Sequence, residues 1–184
     1  MVSRELIAAC RRGDPQAFEE VVRATHRQVY TQALRLVRDR QEAEDVAQEA
    51  YLRVFRGLAG FRGDAQFETW LYRIVANAAM SHLRRMGRFG DLLADPEDER
   101  MEPPNTPSAG PADVAVDREA LSRALEALPD SMRAVVVAKD VYGLSCQEIA
   151  EMVGASEGAV KVRLHRARKR LKERMFEGGE GDEV

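Results

Sequence analysis

The sequence predicts an all-α protein built from two small helical domains joined by a flexible linker. Three observations predict it. Apolar residues recur at helical spacing in both halves, no apolar and polar alternation sits between turn signals, and a proline-rich acidic stretch breaks the pattern at residues 86–116. A chain of 184 residues has room for one medium domain or two small ones, domains running about 50–200 residues, and the break decides for two.

Within the first half, Phe18, Val21, Val22, Thr25, Val29, Ala33, Leu34 and Val37 follow the i, i+3, i+4, i+7 pattern of an amphipathic helix. A second helix begins near Gln41 and runs through "EAEDVAQEAYLRVFRGL", with Val46, Ala50, Leu52 and Phe55 as its inner face and Gly57 and Gly60 as its end. The third occupies "FETWLYRIVANAAMSHLRR", where Phe67, Leu71, Ile74, Val75, Ala78 and Leu83 suit the core. Trp70 follows the same apolar stripe and is expected to pack inside. Together these helices make a bundle over residues 1–85.

Residues 86–116 carry five of the seven prolines, with seven acidic and two basic side chains and almost no apolar period. Such a segment buries too little to fold, and reads as a linker. Beyond it, "DREALSRALEAL", "DSMRAVVVAKDVYG", "SCQEIAEMVG" and "GASEGAVKVRLHRARKR" all read as helical, giving a second domain over 117–176 and an acidic tail over 177–184.

Composition narrows the function classes. No long apolar segment opens the chain and no run of about 18 apolar residues occurs, so membrane insertion and export are not expected and a cytoplasmic location is. Cys10 and Cys146 stand far apart and read as small buried or half-buried apolar residues. His26, His82 and His165 are scattered and no Glu-x-x-His pair accompanies the acidic helix, so no metal or other cofactor is expected. With neither a nucleophile–base pair nor a G-x-x-x-x-G-K-[ST] loop, the chain does not read as an enzyme.

The strongest local signal lies in "LSCQEIAEMVGASEGAVKVRLHRARKRL". Ser145 and Glu148 form an S-x-x-E capping box, Gly154 supplies a turn, and Ser156 can cap the longer helix that follows. Val160, Leu164, Ala167 and Leu171 then share one arc suited to packing on Ile149, Ala150 and Val153. That leaves Gly158, Lys161, Val162, His165, Arg168, Lys169 and Lys172 facing outward. Eight Lys or Arg against one Glu lie between Lys161 and Arg174, although the chain as a whole carries a net charge of -3. A solvated basic face would carry the same charges. The capped helix and turn ahead of it point instead to a helix-turn-helix, whose cations release counterions from phosphates.

The motifs "AEDVAQEAYLRVFR", "FRGDAQFETWLYRIVANAAMSHLRR" and "LSCQEIAEMVGASEGAVKVRLHRARKRL", in this order and separated by a linker, resemble the extracytoplasmic-function (group 4) sigma factors of bacterial RNA polymerase. The resemblance implies a sigma-2 helical bundle at 1–85, a sigma-4 helix-turn-helix at 117–176, and a linker threaded through the polymerase near its RNA exit path. It implies a non-enzymatic factor that directs core polymerase to promoters. Its expected partners are the β′ clamp coiled coil, the β flap, promoter DNA and a cognate anti-sigma factor. A free-standing helix-turn-helix regulator is the other reading of the C-terminal half, although no dimer interface or sensor module stands out.

Carried over residue by residue, the resemblance places Asp45, Gln48, Glu49 and Leu52 against core polymerase. It places Phe61, Arg62, Gly63 and Asp64 in a loop holding a flipped -10 base, with Asn77, Ser81 and Arg84 along the separated strand. Contacts at -35 fall on Glu157, Lys161, Val162, His165, Arg166 and Arg168. Two positions depart from the family pattern: Ser81 stands where relatives commonly have Asp, and Val162 where some have Ser. An apolar contact with a thymine methyl is the substitute expected of Val162.

Overall fold

The structure is a computed structural model that describes residues 2–61, 63, 66–90 and 118–176. It divides into two compact units, Met1–Met86 and Gly87–Val184. Among the described residues every regular element is helical.

The first unit opens on a helix that periodicity did not single out. Helix α1 (Arg4–Arg11) is started by Ser3, whose hydroxyl accepts from the Leu6 N–H at 3.1 Å. Helix α2 (Pro15–Val37) begins three residues before Phe18, because Asp14 accepts from the N–H groups of Gln16 and Ala17 while Pro15 takes a first-turn position that needs no donor. It ends at Arg38, held in a left-handed conformation at φ 62°. Asp39 caps α3 (Arg40–Gly57) at once, accepting from Glu42 N–H at 2.9 Å, so α2 and α3 are joined by two residues. A 3-10 turn (Leu58–Gly60) follows, and α4 (Phe67–Arg85) completes the bundle.

Val21, Val29, Leu36 and Val37 of α2 meet Ala43, Val46, Ala50 and Val54 of α3 and Leu71, Val75, Met80 and Leu83 of α4 in a core from which water is excluded. Two polar side chains caught there are tied down by hydrogen bonds. Thr25 Oγ1 donates to the Val21 carbonyl at 2.8 Å and lies 2.9 Å from the Tyr51 hydroxyl, while Gln32 Nε2 donates to the Tyr72 carbonyl at 2.7 Å. Cys10 is buried and Cys146 half-buried; burial pushes the Cys10 thiol up, away from the reactive thiolate.

The inner face expected for α3 needs correction at two positions. Leu52 is 48% exposed and Phe55 60% exposed. At about 100° per residue they lie roughly 160° and 140° from Ala50, outside the stripe that the core covers. Burial runs one way: buried side chains are mostly apolar, but apolar side chains are often exposed. Phe55 still finds a neighbour, with its ring 5.1 Å from that of Phe18 in an edge-to-face contact.

The second unit takes in residues 87–90 of the segment read as linker. Phe89 is 1% exposed and Arg88 lies 3.7 Å from Asp130. The rest of that segment, 91–116, lies outside the described residues, as does the tail, 177–184. Then come α5 (Arg118–Glu126), α6 (Asp130–Val136) running directly into a π-helical turn (Val137–Val141), α7 (Cys146–Val153) and α8 (Glu157–Phe176). Helix α8 packs against α5, α6 and α7. Leu128, Met132, Val135, Leu144, Ile149, Val153, Val160 and Ala167 form its core.

Candidate nucleic-acid interface

Local chemistry fixes the two helices that build the site. Ser145 Oγ accepts from the Glu148 N–H at 3.1 Å and Glu148 Oε2 accepts from the Ser145 N–H at 2.7 Å, a reciprocal box that satisfies two donors at the start of α7. Gly154, at φ 75°, ends α7, a conformation that costs glycine no steric penalty. Ser156 Oγ then accepts from the Ala159 N–H at 3.1 Å and starts α8.

Glu157, Lys161, His165, Arg168 and Lys172 are all exposed. They fall within an arc of roughly 80° along about 22 Å of helix. On an arc centred roughly 90° round the helix from them, Val160, Leu164, Ala167 and Leu171 are buried, as the periodicity predicts. Two of the cations on this face are paired. Lys161 Nζ lies 2.7 Å from Glu157 Oε1, and this hydrogen bond raises the ammonium pKa. Arg168 Nε donates to Asp140 Oδ2 at 3.0 Å while Nη2 donates to Oδ1, and that bonding holds the guanidinium still further above its usual range.

The outward face is corrected at Val162, which is 1% exposed. Because α8 is flanked by three helices, its first turns bury Ala159, Val160, Val162, Arg163 and Leu164, an arc wider than the single stripe assumed from the sequence. A covered isopropyl group cannot meet a thymine methyl. Arg166 is half-buried.

In the first unit, Asn77 and Ser81 lie half-buried one turn apart on α4, and Ser81 Oγ donates to the Asn77 carbonyl at 2.7 Å. The side-chain Oδ1 of Asn77 has no hydrogen-bond partner among the described residues, whereas Arg84 is exposed nearer the helix end. The Phe61 ring lies 5.0 Å from that of Trp70, tilted by 40°, and meets Phe67 edge-on at 5.9 Å. Trp70 is half-buried in this cluster and lies close over Gly57, where a Cβ would approach its ring to 3.2 Å. Gly63 is exposed at φ 81°; Arg62 and Asp64 lie outside the described residues.

Asp45, Gln48 and Leu52 are exposed on one face of α3, with Glu49 half-buried and bonded to Arg53 Nε at 2.9 Å. Beside them His26, Tyr30, Glu44 and Tyr51 line an open groove of about 520 Å³. Sequence reasoning missed Asp140, whose partner is 28 residues away and leaves no local signal.

A helix-turn-helix with a cationic outer face is the arrangement of a class of DNA-binding proteins. The family model of Sigma-70 region 2 matches residues 21–89, and that of Sigma-70 region 4 matches residues 118–171. The chain is 40% identical over 167 residues to the ECF RNA polymerase sigma factor SigM of Mycobacterium tuberculosis, covering 91% of this chain and 81% of SigM. It is 32% identical over 176 residues to the RNA polymerase sigma-H factor of Pseudomonas aeruginosa, covering 91% of each, and 30% identical over 181 residues to the ECF sigma-E factor of Escherichia coli, covering 93% of each. CnrH, solved in complex with the cytosolic domain of CnrY, has a similar fold, with a TM-score of 0.50 at 23% identity over 97% of this chain and 99% of that one.

The chain belongs to the extracytoplasmic-function family of RNA polymerase sigma factors. It is an alternative sigma factor, a non-enzymatic initiation factor that directs RNA polymerase to promoters. No helix among the described residues is long and apolar enough to cross a membrane.

Proposed function

We propose that the two units divide promoter recognition, the second reading the -35 element and the first binding core polymerase and opening the -10 element. The observation that carries this reading is the exposed stripe on α8, which sets Glu157, Lys161, His165 and Arg168 on one face of a helix seated on a capped α7. With Arg166 at its margin, this stripe offers donors for guanine edges and phosphates and one carboxylate for cytosine.

At -10, Phe61, Arg62, Gly63 and Asp64 hold an extruded base, and Asn77, Ser81 and Arg84 follow the separated strand. Extruding a base costs a few kcal/mol, which binding must repay. Asp45, Gln48, Glu49 and Leu52 face the β′ clamp, and the second unit approaches the β flap. An anti-sigma protein is a further expected partner; CnrH was solved in complex with the cytosolic domain of CnrY. The factor acts in the cytoplasm, as its partner enzyme requires.

Run-off transcription with purified core polymerase on a genomic fragment library tests this reading. Transcripts should start downstream of a shared pair of elements, and mutation of either element should abolish them. Transcripts that appear with core polymerase alone, or with no shared element, would overturn it.

A further inference from the structure

Arg168 is held in a way that ordinary phosphate binding does not require. Its Nε and Nη2 donate side-on to the two carboxylate oxygens of Asp140, which consumes two of the five guanidinium N–H groups. The remaining three have no partner among the described residues. Two of them, on Nη1 and Nη2, form the end-on fork that matches the O6 and N7 acceptors of guanine. Asp140 is 36% and Arg168 44% exposed on their side chains, so the pair lies at the surface with that fork open to a ligand. Asp140 reaches this place from the π-helical turn at Val137–Val141, closed by the Tyr142 N–H on the Val137 carbonyl at 3.1 Å, an element frequently met at functional sites.

From this geometry we infer that Asp140 positions Arg168 to read a guanine in the -35 element. The inference rests on the reading of α8 as the -35 helix and deepens it. A carboxylate beside a phosphate contact repels the DNA, so its presence costs nonspecific affinity. Beside a base contact it fixes the plane and edge of a side chain that would otherwise sample many rotamers. Asp140 therefore exchanges affinity for discrimination, and the two quantities should move in opposite directions when it is neutralised. A structural ion pair would lower both together.

The test uses holoenzyme reconstituted with purified core polymerase and promoter fragments randomised across the -35 element. Unaltered holoenzyme should enrich guanine at one position. In Asp140→Asn that preference should fall by roughly 5- to 150-fold, the range of a bidentate base contact. Affinity for unselected duplex should hold or rise. Arg168→Lys, which retains the charge without the fork, should flatten the same position, and the double variant should be no worse there than Arg168→Lys alone. Asp140→Glu serves as a second variant that keeps the carboxylate, and it should restore at least part of the lost preference.

An unchanged preference in Asp140→Asn would overturn the inference, as would an equal loss at every position. A holoenzyme that selects no -35 sequence even before substitution would instead overturn the reading of α8, a result distinct from a flat response to Asp140 alone.

Discussion

The exposed faces of α3 and α8 are built on the same helical scaffold and prepared for opposite partners. On α3, Leu52 and Phe55 stand in water beside Asp45 and Gln48, so the face offers apolar area with a few polar groups. On α8 the exposed stripe holds Lys161, His165, Arg168 and Lys172, and its large apolar side chains are turned in. Exposed apolar side chains gain from being covered by another protein; cations gain from displacing counterions at a polyanion. What separates the two surfaces is therefore which residues the core leaves exposed on each helix.

The largest effect that would break this comparison is expected at Val162. Replacing it with Asp places a charge where the side chain is 1% exposed, and should cost the second unit about 3 kcal/mol or more, measured by denaturant unfolding. Lys161 is its chain neighbour yet exposed; Lys161→Asp should leave the unfolding midpoint nearly unchanged. Next, Leu52→Asp should weaken the complex with core polymerase by about tenfold or more in a fluorescence titration, with the melting temperature of the free protein shifted little. A large loss of stability would show Leu52 to be part of the core after all. Asn77→Ala should leave core binding intact while permanganate footprinting shows fewer open complexes; equal loss of both would make Asn77 structural. The smallest effect is expected for Ser145→Ala, which removes one half of the capping box and should cost about 1 kcal/mol of stability in the second unit.

Much of this was legible because the determinants were local. The capping box at Ser145 and Glu148, the glycine turn and the buried stripe from Val160 to Leu171 each follow from residues within a few turns of one another. Three features were not. The α1 helix is only two turns long, too short for periodicity to stand out. The burial of Val162 depends on how many helices flank α8, which no pattern within α8 encodes. The exposure of Leu52 and Phe55 was misread because the small residues Ala43, Ala47 and Ala50 carry the true inner face of α3, leaving the larger side chains free for another use. The candidate site shared this limit. Its stripe could be drawn on a helical wheel, but the Asp140–Arg168 pair joins two elements distant in the chain.

The most direct test of the division of labour is the salt dependence of holoenzyme binding to a -35 fragment. Lys161→Ala should reduce the slope of log K against log salt by roughly 0.9, the share of one phosphate contact, while Leu52→Asp, assayed at saturating core polymerase, should leave the slope unaltered. An unaltered slope for Lys161→Ala, or an equal reduction for Leu52→Asp, would contradict the assignment of nucleic acid to α8 and protein to α3.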